Sequence, residues 1–330
     1  MVDKRFYSID LFRLIASLFI VFLHLEYFLG EGLEPSFLRI SARWAVPFFF
    51  ITSGFFIGKK VNNPNFNLDS IGRNILRLIK TILISNLIFI LFNIYLGKPI
   101  NRLGMLFSGS YYHLWFLTAL VFGLICSWSF REIFTKKTRF IILTIIALAS
   151  IFTDSYDIIF INEDLSFYLF RFLTGYLFIE IGIFIYQKQN ELKKIISTKN
   201  LVFLIIIIFL AQFFEIILLN KYFNISLFQH QIIITTPIIS VLIFSLAIRL
   251  DKAPKQISNL GKDHSLFIYL YHPILIFILN TIVIKMNLFA EKNQITLLIF
   301  PLIIFLPMLL FSILIKKYFN KLFKILNGEF

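Results

Sequence analysis

Seven ionisable side chains inside long apolar runs are candidates for chemistry: Arg13, His24 and Glu26 in the first run, Arg171 and Glu180 in the sixth, Glu215 in the seventh and His272 in the ninth. At the centre of a bilayer each such group costs at least about 2.5 to 3.5 kcal/mol, so each marks a functional position by default. Arg13 and His24 stand eleven residues apart. Eleven helical steps of about 100° return to within about 20° of the start, which puts both side chains on one helix face, about 16 Å apart along the axis. A guanidinium can hold an anion at one end of that face, and an imidazole can take a proton near neutral pH at the other. The pairing suits a long, thin, anionic molecule anchored at Arg13 with its reactive end at His24 as general base. The competing reading is that Arg13 pairs with Asp10 at i,i+3 or reaches lipid phosphates, and that His24 is an interhelical hydrogen-bond donor.

The elements that must position these groups are membrane helices. Of 330 residues 58% are hydrophobic and 15% charged, with a mean hydropathy of +0.84. A soluble domain carries about 25% charge, so a soluble globule is excluded. Apolar runs fall at roughly Leu11 to Leu29, Phe37 to Ile57, Ile75 to Tyr95, Leu114 to Phe130, Phe140 to Thr153, Phe167 to Tyr186, Leu201 to Leu219, Ile232 to Leu250, Ser265 to Ile284 and Ile295 to Ile315. With both termini in the cytoplasm, 21 of the 32 Lys and Arg residues fall in inner segments and 7 in outer ones, the asymmetry expected of inner loops. The segment from Asp154 to Asp164 has four acids and no base, which makes the short fifth run a span and places that loop outside.

The expected fold is therefore all-α, a polytopic integral membrane protein of about ten transmembrane helices in a single domain over residues 1–330, in the cell membrane. The formal charge of +14 follows from this topology and calls for no nucleic-acid partner. Cys126 is the one cysteine, so an internal disulfide and a cysteine metal cluster are excluded. No small-residue cleavage site follows the first apolar run, so no cleavable signal peptide is expected. No two histidines have i,i+4 spacing, and no metal site is expected. The second run carries Pro47 and the step Ser53-Gly54. Both are tolerated in a membrane where protein or a cavity covers the backbone, and a small-residue step also serves plain helix packing. His272 precedes Pro273, where a kink frees carbonyl groups beside a tunnel-lining candidate.

The run SIDLFRLIASLFIVFLH from Ser8, the spacing of Arg13 and His24, RWAVPFFFITSGFF from Arg43, HLWFL from His113 and YLYHP from Tyr269 together resemble the acyltransferase-3 family of ten-helix membrane acyltransferases. The resemblance extends from the first helix to the ninth. It implies transfer of an acyl group, commonly acetyl, from cytoplasmic acyl-CoA to a hydroxyl of an envelope glycan or lipid-linked saccharide, directly or by way of an acyl intermediate. It implies His24 as the catalytic base, with Arg13, Ser53, Gly54, Phe55 and Phe56 on the donor path. The family's basic pair before the third helix has two Arg separated by two residues; this chain offers Arg73, Arg77 and Lys80, and the choice among them stays open. Trp115 and Tyr271 stand at family motif positions, though such residues also serve as packing or interface anchors. Glu26, Arg43, Trp115, Tyr271 and His272 are the candidates for acceptor binding. The expected partners are acyl-CoA, the acceptor and the lipid bilayer, and a homo-oligomer is compatible with this reading. A membrane transporter of a small solute or glycan intermediate is the alternative, and an assembly subunit of an envelope complex a further one.

Overall fold

The computed structural model describes residues 5–24, 39–61, 69–98, 109–152, 156, 168–223, 232–250, 252–285 and 294–330. Those residues form α1 (Tyr7–Leu23), α2 (Ala45–Val61), α3 (Asp69–Tyr95), α4 (Trp115–Ile133), α5 (Lys136–Phe152), α6 (Tyr168–Ile195), α7 (Thr198–Phe223), α8 (Thr235–Ala247), α9 (Lys255–Lys285), α10 (Gln294–Tyr318) and α11 (Asn320–Leu326). Each of the ten apolar runs falls on one of α1 to α10, and α11 is a short addition after them. Among the described residues five segments, Arg39–Lys60, Ile71–Tyr95, Thr198–Phe223, Lys255–Ile282 and Ile299–Tyr318, are by length and composition apolar enough to cross a membrane. The fold is all-α among the described residues, with several helices of membrane-spanning length. Glu26, the neighbouring Glu31 and Glu34, the acids of the 154–164 loop and the side chain of Arg171 lie outside the described residues.

The chain divides into two compact units, one of residues 1–46 and 197–323, the other of 47–196 and 324–330. In the first unit α1 packs most extensively on α9, and α7 on α8. The contact between α1 and α9 is made by backbone. A Cβ added to Gly261 would strike the carbonyl of Asp10, so only glycine allows the two main chains this close. The same two helices meet again where His24 stacks on His272. Residue numbers rise in both helices between these two contacts, so α1 and α9 run parallel.

In the second unit α6 is central. Gly54 of α2 has no room for a Cβ beside the Ile179 carbonyl, and Gly182 of α6 has none beside the Ile51 carbonyl. Gly58 repeats the contact one turn on, where an added Cβ would lie 2.9 Å from the Tyr186 Cβ. Gly54 and Gly58 form a small-x-x-x-small pair, the spacing that lets helices approach in lipid, where no hydrophobic force favours helix over lipid tail. A Cβ added to Gly175 of α6 would lie 2.8 Å from the Ala119 carbonyl of α4, and one added to Gly123 of α4 would lie 2.8 Å from the Tyr176 nitrogen. On α3, Asn86 Oδ1 accepts the Ser110 N–H at 2.6 Å, and Asn93 donates to the Ser110 carbonyl at 2.7 Å. These bonds tie the segment that enters α4 to α3.

Replacing Gly182 by Val forces a branched side chain into the Ile51 carbonyl, an overpacking that costs about 2 kcal/mol or more. A fall in the detergent melting temperature of several degrees is expected. Gly72, whose Cβ would meet nothing within 4 Å, is the control, and Gly72→Ala should leave the melt unchanged or raise it slightly through helix propensity.

Candidate active site

Near the start of α1, Asp10 is buried and accepts two hydrogen bonds, from Arg5 Nε at 3.0 Å and Arg13 Nη1 at 3.2 Å. Arg13 thus has the i,i+3 partner that was one of its two sequence readings, and its side chain stays 22% exposed. His24 follows the last residue of α1, and its N–H bonds the Val21 carbonyl at 3.1 Å. Its ring lies on that of His272, with centroids 5.2 Å apart and planes inclined by 25°. On the face joining Arg13 to His24, Ser17 and Ile20 are fully buried.

His272 is wholly buried, and its tautomer follows from its partners. Pro273 has no N–H, so the Tyr269 carbonyl four residues earlier loses its helical donor. His272 Nδ1 lies 2.8 Å from that oxygen and 3.0 Å from the Ile268 carbonyl. Both partners only accept, so Nδ1 carries the hydrogen and, in the neutral ring, Nε2 keeps the lone pair. The sequence placed His272 beside a proline kink but did not pair it with His24. The two are 248 positions apart, and the link is made by the packing of α1 on α9.

The other candidates of this unit have packing roles in view. Tyr271 is buried with its ring 4.8 Å from that of Phe267. Arg43 is buried, and next to it Trp44 packs 5.3 Å from Phe19 while its carbonyl accepts from Ser240 Oγ at 3.4 Å. Glu215 caps α8: its carboxylate accepts the Ile234 N–H at 2.8 Å, the Thr235 N–H at 3.1 Å and the Thr235 hydroxyl at 2.5 Å. A carboxylate there satisfies orphan donors and meets the positive end of the helix dipole.

In the second unit Ser53 donates to the Phe49 carbonyl at 3.0 Å within its own helix, and Gly54 serves the crossing with α6. Phe55 is fully buried, 5.2 Å from the Tyr186 ring, and Phe56 lies 5.8 Å from Phe55. Trp115 opens α4 with its ring 6.4 Å from Phe50. His113, of the same motif, is buried with Phe89 5.0 Å and Tyr112 5.7 Å away. Arg73 is exposed on α3, while Arg77 pairs with Glu329 and Lys80 bonds the main-chain oxygen of Phe330. Glu180 is buried in α6, where it accepts from Ser127 and from Arg131 at 3.4 Å and faces Arg139 at 3.8 Å. That cluster ties α4, α5 and α6 together.

A family model described as an acyltransferase domain matches residues 6–317. An amino-acid racemase of Enterococcus faecalis is 33% identical over 163 residues, 47% of this chain and 22% of that protein. Another protein of that name from the same organism is 25% identical over 308 residues, 85% of this chain and 42% of its own length. A serine/alanine racemase of Enterococcus gallinarum is 28% identical over 292 residues, 81% of this chain and 40% of that protein. The chain therefore spans less than half the length of these relatives. No solved structure matches.

Removing Glu180 leaves Arg131 and Arg139, about one-sixth exposed, without their shared carboxylate. Loss of one partner from a largely buried ionic group costs about 3 kcal/mol. Glu180→Ala should lower the melting temperature clearly more than Lys188→Ala, which breaks the exposed pair of Lys188 with Glu191.

Proposed function

The chain belongs to the acyltransferase-3 family, and we propose that within it this protein moves an acyl group, with acetyl the expected one, from acyl-CoA on the cytoplasmic side to a hydroxyl of an envelope glycan or lipid-linked sugar. The observation that carries this reading is the stack of His24 on buried His272, at the far end of the α1 face that holds Arg13. His24 takes the proton of the acceptor hydroxyl while the oxygen attacks the thioester carbonyl. The carbon–sulfur bond then breaks, CoA leaves as its thiolate, and the proton held on His24 passes to the sulfur. His272, fixed through Nδ1 on two carbonyls, sets the plane of the His24 ring and offers a neutral π face to the charge that ring gains. Arg13, oriented by Asp10, supplies the cation for the anionic part of the donor. Ser17 and Ile20 are buried between Arg13 and His24, so an acyl-pantetheine arm laid along this face requires the side chains packed on them to part.

The same reading takes the protein as multi-pass in the cell membrane, with ten spans and both ends in the cytoplasm. Ten apolar runs coinciding with ten helices support it. So does the parallel course of α1 and α9, since odd-numbered spans cross in one direction.

General-base catalysis contributes about 100-fold or more. His24→Ala should therefore lower transfer of labelled acetyl from acetyl-CoA to membrane glycan by at least about 100-fold at equal protein, and undiminished transfer would overturn the assignment. Arg13→Ala should raise the KM for acyl-CoA several-fold and leave the acceptor KM unchanged; a loss confined to the acceptor would move Arg13 to the other substrate.

A further inference from the structure

Arg73, Arg77 and Lys80 recur at i, i+4 and i+7, so they line one face of α3. Two of the three cations are already engaged by the segment that follows α11. Arg77 Nε donates to the Asn327 carbonyl at 3.4 Å, and its Nη2 pairs with the Glu329 carboxylate. Lys80 Nζ donates to the main-chain oxygen of Phe330 and lies 4.4 Å from the centre of the Phe330 ring. The buried Thr81 hydroxyl donates to the Asn327 carbonyl at 3.1 Å. Gly328, between these contacts, has φ +69°, and a Cβ on it would collide with the Thr81 hydroxyl and crowd the Arg77 carbonyl. Four consecutive residues thus present a carboxylate and two main-chain oxygens to Arg77, Lys80 and Thr81, and one left-handed glycine shapes them to fit.

Resting on the donor assigned above, we propose that the segment 327–330 is a resident ligand of this cationic face, bound where the donor's phosphates bind and displaced when the donor arrives. The sequence left open which of the three basic residues would meet the phosphates. Arg77 and Lys80 are the two that already hold oxygen ligands, and Arg73 is the exposed cation that meets an incoming anion first. The hold on Arg77 is of the displaceable kind. Its side chain is 47% exposed and that of Glu329 40%, and a pair so wet is held weakly and screened by salt. A pyrophosphate-bearing ligand brings more charge and more acceptor oxygens to the same two cations than one carboxylate does. Docking of the segment and binding of the donor are therefore mutually exclusive, and loosening the segment tightens the donor.

The test is calorimetric titration of the purified protein in lipid nanodiscs, with coenzyme A and with inorganic pyrophosphate, on wild type, Glu329→Gln and Gly328→Val. The first variant removes the carboxylate; the second undocks the segment by steric collision and leaves every charge in place. Both should bind both probes about two- to fivefold more tightly than wild type, the range that a weak exposed ion pair allows. Pyrophosphate affinity that is equal in all three proteins, or weaker in the variants, overturns the proposal. If coenzyme A binds to none of them while the variants bind pyrophosphate more tightly, the resident-ligand proposal stands and the donor assignment falls.

Discussion

Gly261 brings the main chain of α9 against the Asp10 carbonyl of α1, with no space for a side-chain carbon between them. That approach fixes two things at once. It locks the part of α1 in which Asp10 holds Arg5 and Arg13, and it sets the parallel course that brings the end of α1 to the middle of α9. His24 follows the helix rather than lying within it, so its position depends on where α1 stops and on what it stops against. The stacking surface is His272, and His272 is itself fixed by a gap in hydrogen bonding that Pro273 leaves in α9. A glycine, a proline and two histidines thus form one chain of dependence, in which each step is a backbone constraint passed to a side chain.

Lipid gives helices no hydrophobic reason to associate, so the second unit depends on close approach and on buried polar bonds. Its glycines stand in facing pairs, Gly54 with Gly182 and Gly123 with Gly175, and each sits against the partner's main chain. Charge adds to this close approach: Glu180 draws Arg131 of α4 and Arg139 of α5 to α6. An acid buried among apolar side chains is costly alone and stabilising only while its partners remain, so the cluster fixes helix order as well as proximity.

The sequence made the helices legible because an apolar run is a strong, local signal: each run falls on one of the eleven described helices, and five described segments are of membrane-spanning length. The phase that relates Arg13 to His24 could be worked out for the same reason, since helical phase is local arithmetic. What could not be read was whatever depends on meetings between distant segments. His24 and His272 carry no mutual signal along the chain. Glu215, singled out as an intramembrane acid, caps a helix that begins twenty residues later, and nothing along the chain signals the pairing. The glycine step at Ser53-Gly54 was legible as small, but its two readings, donor path and helix packing, differ only in what lies opposite, and what lies opposite Gly54 is the backbone of α6.

Sorting the intramembrane ionisable groups by what they touch sharpens the chemical reading. Glu215 is engaged by three donors of α8 and Glu180 by a hydroxyl and an arginine, with a second arginine facing it. The two imidazoles are different in kind. With Nδ1 committed to carbonyl oxygens, His272 keeps one orientation through any cycle of the ring stacked upon it. The two rings lie 5.2 Å apart, so a charge gained by one is felt strongly by the other in a medium poor in water. In the proposed mechanism His24 is the ring that takes the acceptor's proton and returns it to the departing thiolate, while His272 holds its plane.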